Sequence, residues 1–128
     1  MGKGMARTLK SAKAAGSKFE RDIANILAEN VDDRIDRRVK TGAKDKGDIA
    51  GVRLHGQRIV IECKNTSKIN LGTWIREAHD EAKNDEALCG IVAHKRHGKG
   101  DPLDQWVTMT VGDLIALMTG EKQLNAYE

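Results

Sequence analysis

Three side chains on two neighbouring apolar segments have the types and spacing to do chemistry: Asp48, Glu62 and Lys64. Asp48 follows Gly47 and opens the run 49–53; Glu62-Cys63-Lys64 closes the run 57–64. Side chains alternate faces along a strand, so Glu62 and Lys64 project to the same side. Two carboxylates and an amine at one strand end can hold a divalent cation and act on a phosphodiester. The cation activates water and offsets developing negative charge when two carboxylates and a backbone carbonyl hold part of its shell. Asp48 and Glu62 are the candidate carboxylates, and the Cys63 carbonyl between the two strand-face residues is the candidate third ligand. Lys64 can orient the attacking water or stabilise charge on the phosphate. The same residues also read as a surface Glu–Lys pair on an edge strand, which contributes little stability. Against that, apolar strands rarely end in Glu-x-Lys for core reasons.

The elements around these residues decide whether they meet. Residues 49–53 and 57–64 flank His55-Gly56 and read as a hairpin. A two-residue loop pairs Leu54 with Gln57 and sets Asp48 opposite Cys63, on the wrong face. A three-residue loop of Leu54, His55 and Gly56, with Gly56 left-handed in a bulge, pairs Arg53 with Gln57 and sets Asp48 opposite Glu62. A bend at Gly51 also brings the two acids together. The expectation is therefore a bulge or a bend; a regular two-residue hairpin with Asp48 pointing away counts against the site.

Upstream, Ser17-Lys18-Phe19-Glu20 has the form of a capping box, so a helix is expected from Ser17. Phe19, Ile23, Ile26 and Leu27 make its buried face. Glu20 then has a capping role open to it, alongside any role in the site. Ile35 and Val39 suggest a short strand over 34–40, followed by a Gly-rich polar loop. Downstream, Leu71, Trp74, Ile75, Ala78 and Ala82 fall on one face of a helix over 71–85. Its outer face is read as Arg76, Glu77, Asp80, Glu81 and Lys83. Strands are expected over 88–94 and 106–109, and Thr110 caps a helix over 111–118. The order α-β-β-β-α-β-β-α predicts an α/β fold, a central mixed β-sheet flanked by helices.

Length and composition fit that reading. At 128 residues the chain has room for one core. Only four residues are Phe, Trp or Tyr, so the core must be mostly aliphatic. No apolar run approaches the roughly 20 residues that a membrane span needs. The basic amino terminus lacks the apolar stretch of a secretory signal. Cys63 and Cys89 both sit in apolar runs and read as buried free thiols, in keeping with a reducing cytoplasm.

The net charge is only +3, but it is unevenly spread. Residues 1–18 carry Lys3, Arg7, Lys10, Lys13 and Lys18 with no acid. Residues 1–16 read as a flexible basic arm, 17–119 as the single domain and 120–128 as a tail. Between Arg34 and Lys46 six basic residues face two acids. Arg37, Arg38, Lys40, Lys44 and Lys46 there, Lys95, Arg96 and Lys99 in a later Gly-rich loop, and Lys10 and Lys13 in the arm are candidate DNA phosphate contacts. Each group reads equally as solvated surface.

Glu20, Gly47-Asp48 and Glu62-Cys63-Lys64, in that order, resemble the PD-(D/E)xK nuclease superfamily. Residues 16–22, the basic strand, Thr41-Gly42, Asp48-Ile49-Ala50 and Ile61-Glu62-Cys63-Lys64 resemble in particular the archaeal and phage-type Holliday junction resolvases. The resemblance spans roughly residues 16–94 and implies a restriction-endonuclease-like fold. It implies that Asp48 and Glu62 bind Mg²⁺ or Mn²⁺, that Lys64 is catalytic and that Glu20 joins the metal shell directly or through water. Thr41 is the nearest match to a hydroxyl residue that contributes in the resolvases. The motif proline before the acid is absent, since Gly47 stands there. The resemblance also implies a homodimer acting on branched double-stranded DNA, each subunit cutting one strand. Two alternatives remain open on the sequence: another nuclease of this superfamily, of restriction, repair or phage type, and a non-catalytic DNA-binding protein. Trp74 and Ile75 read as helix core rather than a dimer face, and His79, His94 and His97 as structural or DNA-facing.

Overall fold

The structure is a computed structural model that describes residues 8–39, 42 and 44–123. Helix α1 (Leu9–Asn30) is followed by β1 (Asp36–Arg37), β2 (Ile49–Ala50), β3 (Arg53–Leu54) and β4 (Gln57–Lys64). Then come α2 (Leu71–Asn84), β5 (Cys89–His94), a 3-10 turn (Pro102–Asp104), β6 (Trp106–Thr108) and α3 (Val111–Thr119). The main sheet runs β3-β4-β5-β6, and β1 and β2 form a separate pair. β4 and β5 are parallel, with α2 as the crossover; the other main-sheet pairs are antiparallel. This is the mixed sheet with flanking helices that the sequence predicts.

Alternation along β4 builds two cores. Ile61 and Cys63 join Phe19, Ile23 and Ala24 of α1 with Ile35, Ile49 and Ala93. Val60 packs instead on Ala82 of α2 with Ala87. Trp74 and Ala78 of α2 cover Val92, so Trp74 is core, as its spacing indicates. α2 lies so close on β5 that a Cβ at Gly90 would stand 2.3 Å from the Ala78 carbonyl oxygen. α3 closes the far end of the sheet through Ala116 against Leu88 and Cys89. The Thr110–Asp113 capping box starts it. Cys63 and Cys89 are buried free thiols. Among the described residues, no helix is long and apolar enough to cross a membrane.

Three local expectations are corrected. Helix α1 starts at Leu9, not at Ser17, and Thr8 is its cap, accepting from the Ser11 N–H at 3.0 Å. The segment 9–16 is rich in Ala and Lys, whose helix propensity carries it with little burial. Residues 9–16 are thus the first turns of a helix and not an arm. Ser17 lies inside the helix, so Glu20 has no cap to serve. The strand expected over 34–40 is only Asp36–Arg37. The hairpin loop has two residues, His55 and Gly56, with Leu54 paired to Gln57. Their φ angles of 50° and 81° suit the tight turn whose twist matches that of the strands. The three-residue loop is therefore wrong, and the alternative, a bend at Gly51, is what the chain adopts.

That bend is a bulge. The Ile59 N–H donates to the Val52 carbonyl, and the Asp48 N–H donates to the Ile61 carbonyl. Four steps of chain from Asp48 to Val52 thus face two steps from Ile59 to Ile61. Gly51 absorbs the excess at φ 88°, and a Cβ there would come 3.0 Å from the Arg34 carbonyl oxygen. The kink frees β2 to pair with β1 and aims Asp48 at the end of β4.

Candidate active site

Residues 59, 61 and 63 of β4 direct their backbone groups toward the edge that carries Asp48. The Cys63 N–H donates to Asp48 Oδ2 at 2.7 Å, so an acid side chain takes the place of the next ladder carbonyl. By the same strand geometry the Cys63 carbonyl points to that edge as well. Asp48 and Glu62 are both buried. Lys64 Nζ stands 3.3 Å from Glu62 Oε2 and 2.9 Å from Glu77 Oε2. Asp48, Glu62 and Lys64 therefore converge on one end of the sheet, by a bulge rather than by hairpin register.

Two residues of α2 expected on its outer face, Glu77 and Glu81, join them. Glu81 is buried, and Glu62, Glu77 and Glu81 each offer a carboxylate oxygen within 4.8 Å of the others. The available signal was spacing: Glu81 lies three residues after Ala78 and seven after Trp74, on the face these core residues share.

The electrostatics are those of crowded acids. Burial pushes the Glu62 carboxyl strongly upward, and the charges of Asp48 and Glu81 push it further. Burial also raises Glu81, against a lowering contact from Glu62, with Asp45, Asp48 and Glu77 adding to the rise. Burial pulls Lys64 down, but its hydrogen bond to Glu77 and the charges of Glu62 and Glu77 outweigh it, and the net direction is up. Burial raises the Cys63 thiol, helped by Asp48 and Glu20.

A cation suits this arrangement on two counts. Glu62 Oε1 and Glu81 Oε1 are buried and have no hydrogen-bond partner among the described residues, an expensive state for a carboxylate unless a cation takes it up. The donors are all oxygens, the type that Mg²⁺ and Mn²⁺ prefer.

The other expected residues are placed as follows. Glu20 sits on α1, on the face of the sheet that carries Cys63, with its carboxylate 3.5 Å from Arg37. Thr41 and Lys40 lie outside the described residues. Lys10, Lys13, Lys44, Lys46 and Lys99 are exposed. Arg38 is turned inward, 3.4 Å from the buried Asp85, and Arg37 is engaged by Glu20, so both have structural work. Lys95 Nζ donates to the Lys99 carbonyl, and Arg96 lies over the Trp106 ring at 4.4 Å. The histidines stand apart from the acids. His79 meets Asp113 at 2.9 Å, His94 meets Thr108 at 2.7 Å with its ring tilted against Trp74, and His97 meets the Thr66 carbonyl.

A mixed sheet between helices, with an acid aimed at a Glu-x-Lys strand end, is the arrangement of a PD-(D/E)xK nuclease. The model of the family described as "Phage putative PDDEXK endonuclease" matches residues 11–119, and the chain belongs to that family. No curated protein and no solved structure matches the chain.

Proposed function

We propose that the chain is a Mg²⁺- or Mn²⁺-dependent endonuclease that cuts branched DNA, resolving four-way junctions in recombination or repair. The observation that carries the metal-dependent reading is the convergence of Asp48 and Glu62 beside Lys64, enforced by the bulge at Gly51. Asp48, Glu62 and the Cys63 carbonyl would hold the ion, which when bound supplies a Lewis acid and an activated water. The Cys63 N–H fixes one oxygen of Asp48, so that carboxylate enters the reaction already oriented. Lys64, held between Glu62 and Glu77, is close enough to steady the attacking water or the charge growing on the phosphate. Glu20, on the neighbouring helix, would join the metal shell directly or through water, and Thr41, seven residues before Asp48 in the sequence, would assist.

The junction preference rests on the resemblance to the resolvases; exposed Lys44 and Lys46 just upstream of Asp48 would supply general phosphate contacts. Contacts to phosphates position a protein on DNA without reading bases, which suits recognition of shape. A homodimer would place one site on each of two strands. The expected place of action is the cytoplasm, on the nucleoid or in a host cell if the protein is phage-encoded.

The test is cleavage of labelled four-way junction and linear duplex side by side in Mg²⁺. Paired symmetric nicks in the junction alone support resolution. Equal cutting of linear duplex removes it and leaves a general nuclease of the same family.

A further inference from the structure

Trp106 is a large aromatic side chain left on the surface. Trp74 is 6% exposed in the core, whereas Trp106 is 47% exposed on β6, the end strand of the main sheet. The ladder ties Trp106 to the candidate active site. Lys64 is paired with His94 across β4 and β5, and His94 with Trp106 across β5 and β6. Directly paired residues share a face of a sheet, so Lys64, His94 and Trp106 stand in one row. With neighbouring strands about 4.8 Å apart, the row sets Trp106 about 10 Å from Lys64. A DNA strand whose phosphate sits at Lys64 covers that distance in about three nucleotides, at roughly 3.4 Å each. The loop beside Trp106 is basic and pinned in place. It leaves β5 with the Lys95 N–H donating to the Lys64 carbonyl at 2.9 Å. Gln105 holds the rest: its Oε1 accepts from the Arg96 N–H at 2.7 Å, and its Nε2 donates to the Lys99 and Asp101 carbonyls. The Arg96 guanidinium lies 4.4 Å over the Trp106 ring, and Lys99 is exposed at the loop tip.

We infer that Trp106, with Arg96, is a stacking platform for one unpaired nucleobase of the DNA strand held at Lys64. An indole and a guanidinium both stack on the face of any base, and the cations around them meet the backbone of the same strand. The inference rests on the proposed DNA endonuclease and adds a substrate feature to it. Phosphate contacts alone carry no preference for unpaired bases, whereas a base reaches an indole only once it has left its own stack. The platform therefore favours DNA with an unstacked base beside the cut, as at a branch point or next to a single-stranded stretch. Lys99 contributes charge to either kind of DNA.

The experiment measures binding by the whole chain in chelator, so that no strand is cut. The probe is a duplex with a short single-stranded arm, in which fluorescent 2-aminopurine replaces each arm base in turn; the fully paired duplex of the same sequence is the comparison. Stacking on an aromatic ring quenches 2-aminopurine. The unaltered chain should quench one arm position most strongly and bind the armed DNA more tightly than the duplex. Trp106→Ala should lose that quenching and bind the armed DNA about tenfold more weakly, with duplex affinity and melting temperature close to the parent's. Trp106→Phe should restore most of both. Lys99→Ala should weaken both DNAs alike and keep the quenching. No quenching by the unaltered chain, quenching retained by Trp106→Ala, or an equal loss of affinity for both DNAs on Trp106→Ala overturns the platform. Failure of the unaltered chain to cut any DNA in Mg²⁺ would instead overturn the endonuclease reading, and the chelator measurements stand apart from that result.

Discussion

Glu62 is the residue on which stability and chemistry oppose each other. Its carboxyl is raised by burial first, then by Asp48 and Glu81, so the folded chain holds that proton more tightly than the unfolded chain does. Stability of the metal-free protein is then greatest below the ordinary carboxylate range and falls as pH rises toward the elevated folded value. Thermal melts in chelator should show this decline, and added Mg²⁺ should reduce it. Glu62→Gln should flatten the profile and raise metal-free stability near neutral pH by roughly 0.5–2 kcal/mol while cleavage is lost. A Glu62→Gln melt that is lower than the parent's at pH 8 would count against the crowded-acid picture. At this scale Asp48, Glu62 and Lys64 were legible because strand alternation places Glu62 and Lys64 together. Glu81 was not, because a Glu at helical spacing looks the same whether it faces water or a strand. Only the packing of α2 on β4 turns it inward. Glu20 was legible as a candidate, but its local explanation as a cap failed once the helix proved to start eight residues earlier.

The bulge before β3 is the element that makes the site. A regular hairpin would leave Asp48 opposite Cys63, and the two-residue loop that forms is regular. The correction comes instead at Gly51, where φ is 88° and the Arg34 carbonyl crowds any side chain. Gly51→Ala should cost about 1–3 kcal/mol from backbone strain and lower cleavage further by displacing Asp48. Gly56→Ala is the comparison: it is strained too, but it lies in open space at the hairpin tip. It should lower the melting temperature and leave cleavage per folded molecule unchanged. Equal cleavage by both variants would show that the bulge does not position the acid. The long elements β4, α2, β5 and α3 fall within a residue or two of their sequence boundaries, since each has a clear apolar period and several a clear cap. The strands expected over 34–40 and 49–53 are longer than β1 and β2, because Ile35 is buried against α1 from a loop and Gly51 bends the second run at φ 88°. The first turns of α1 were missed because they bury little and so carry no apolar stripe.

Over the whole molecule, charge sorts into ion pairs that hold the fold and cations that face solvent. Arg37 and Arg38, read from sequence as phosphate contacts, also pair with Glu20 and Asp85. A basic run gives no sign of which members turn inward until the buried acids are placed. Lys44 and Lys46 face solvent beside the site. Replacing both by Ala should weaken DNA binding about equally for junction and duplex. It should reduce the salt slope by about 1.8, the loss of two phosphate contacts. A slope unchanged from the parent's would move the DNA track elsewhere.

The central claim is that Asp48, Glu62 and Lys64 form one hydrolytic site. Its most direct test is Mg²⁺-dependent cleavage of labelled four-way junction by Asp48→Ala, Glu62→Ala and Lys64→Ala, with junction binding followed in parallel by gel shift. Each variant should bind the junction and fail to cut it. Cleavage at the parent's rate by any one of the three would contradict the assignment.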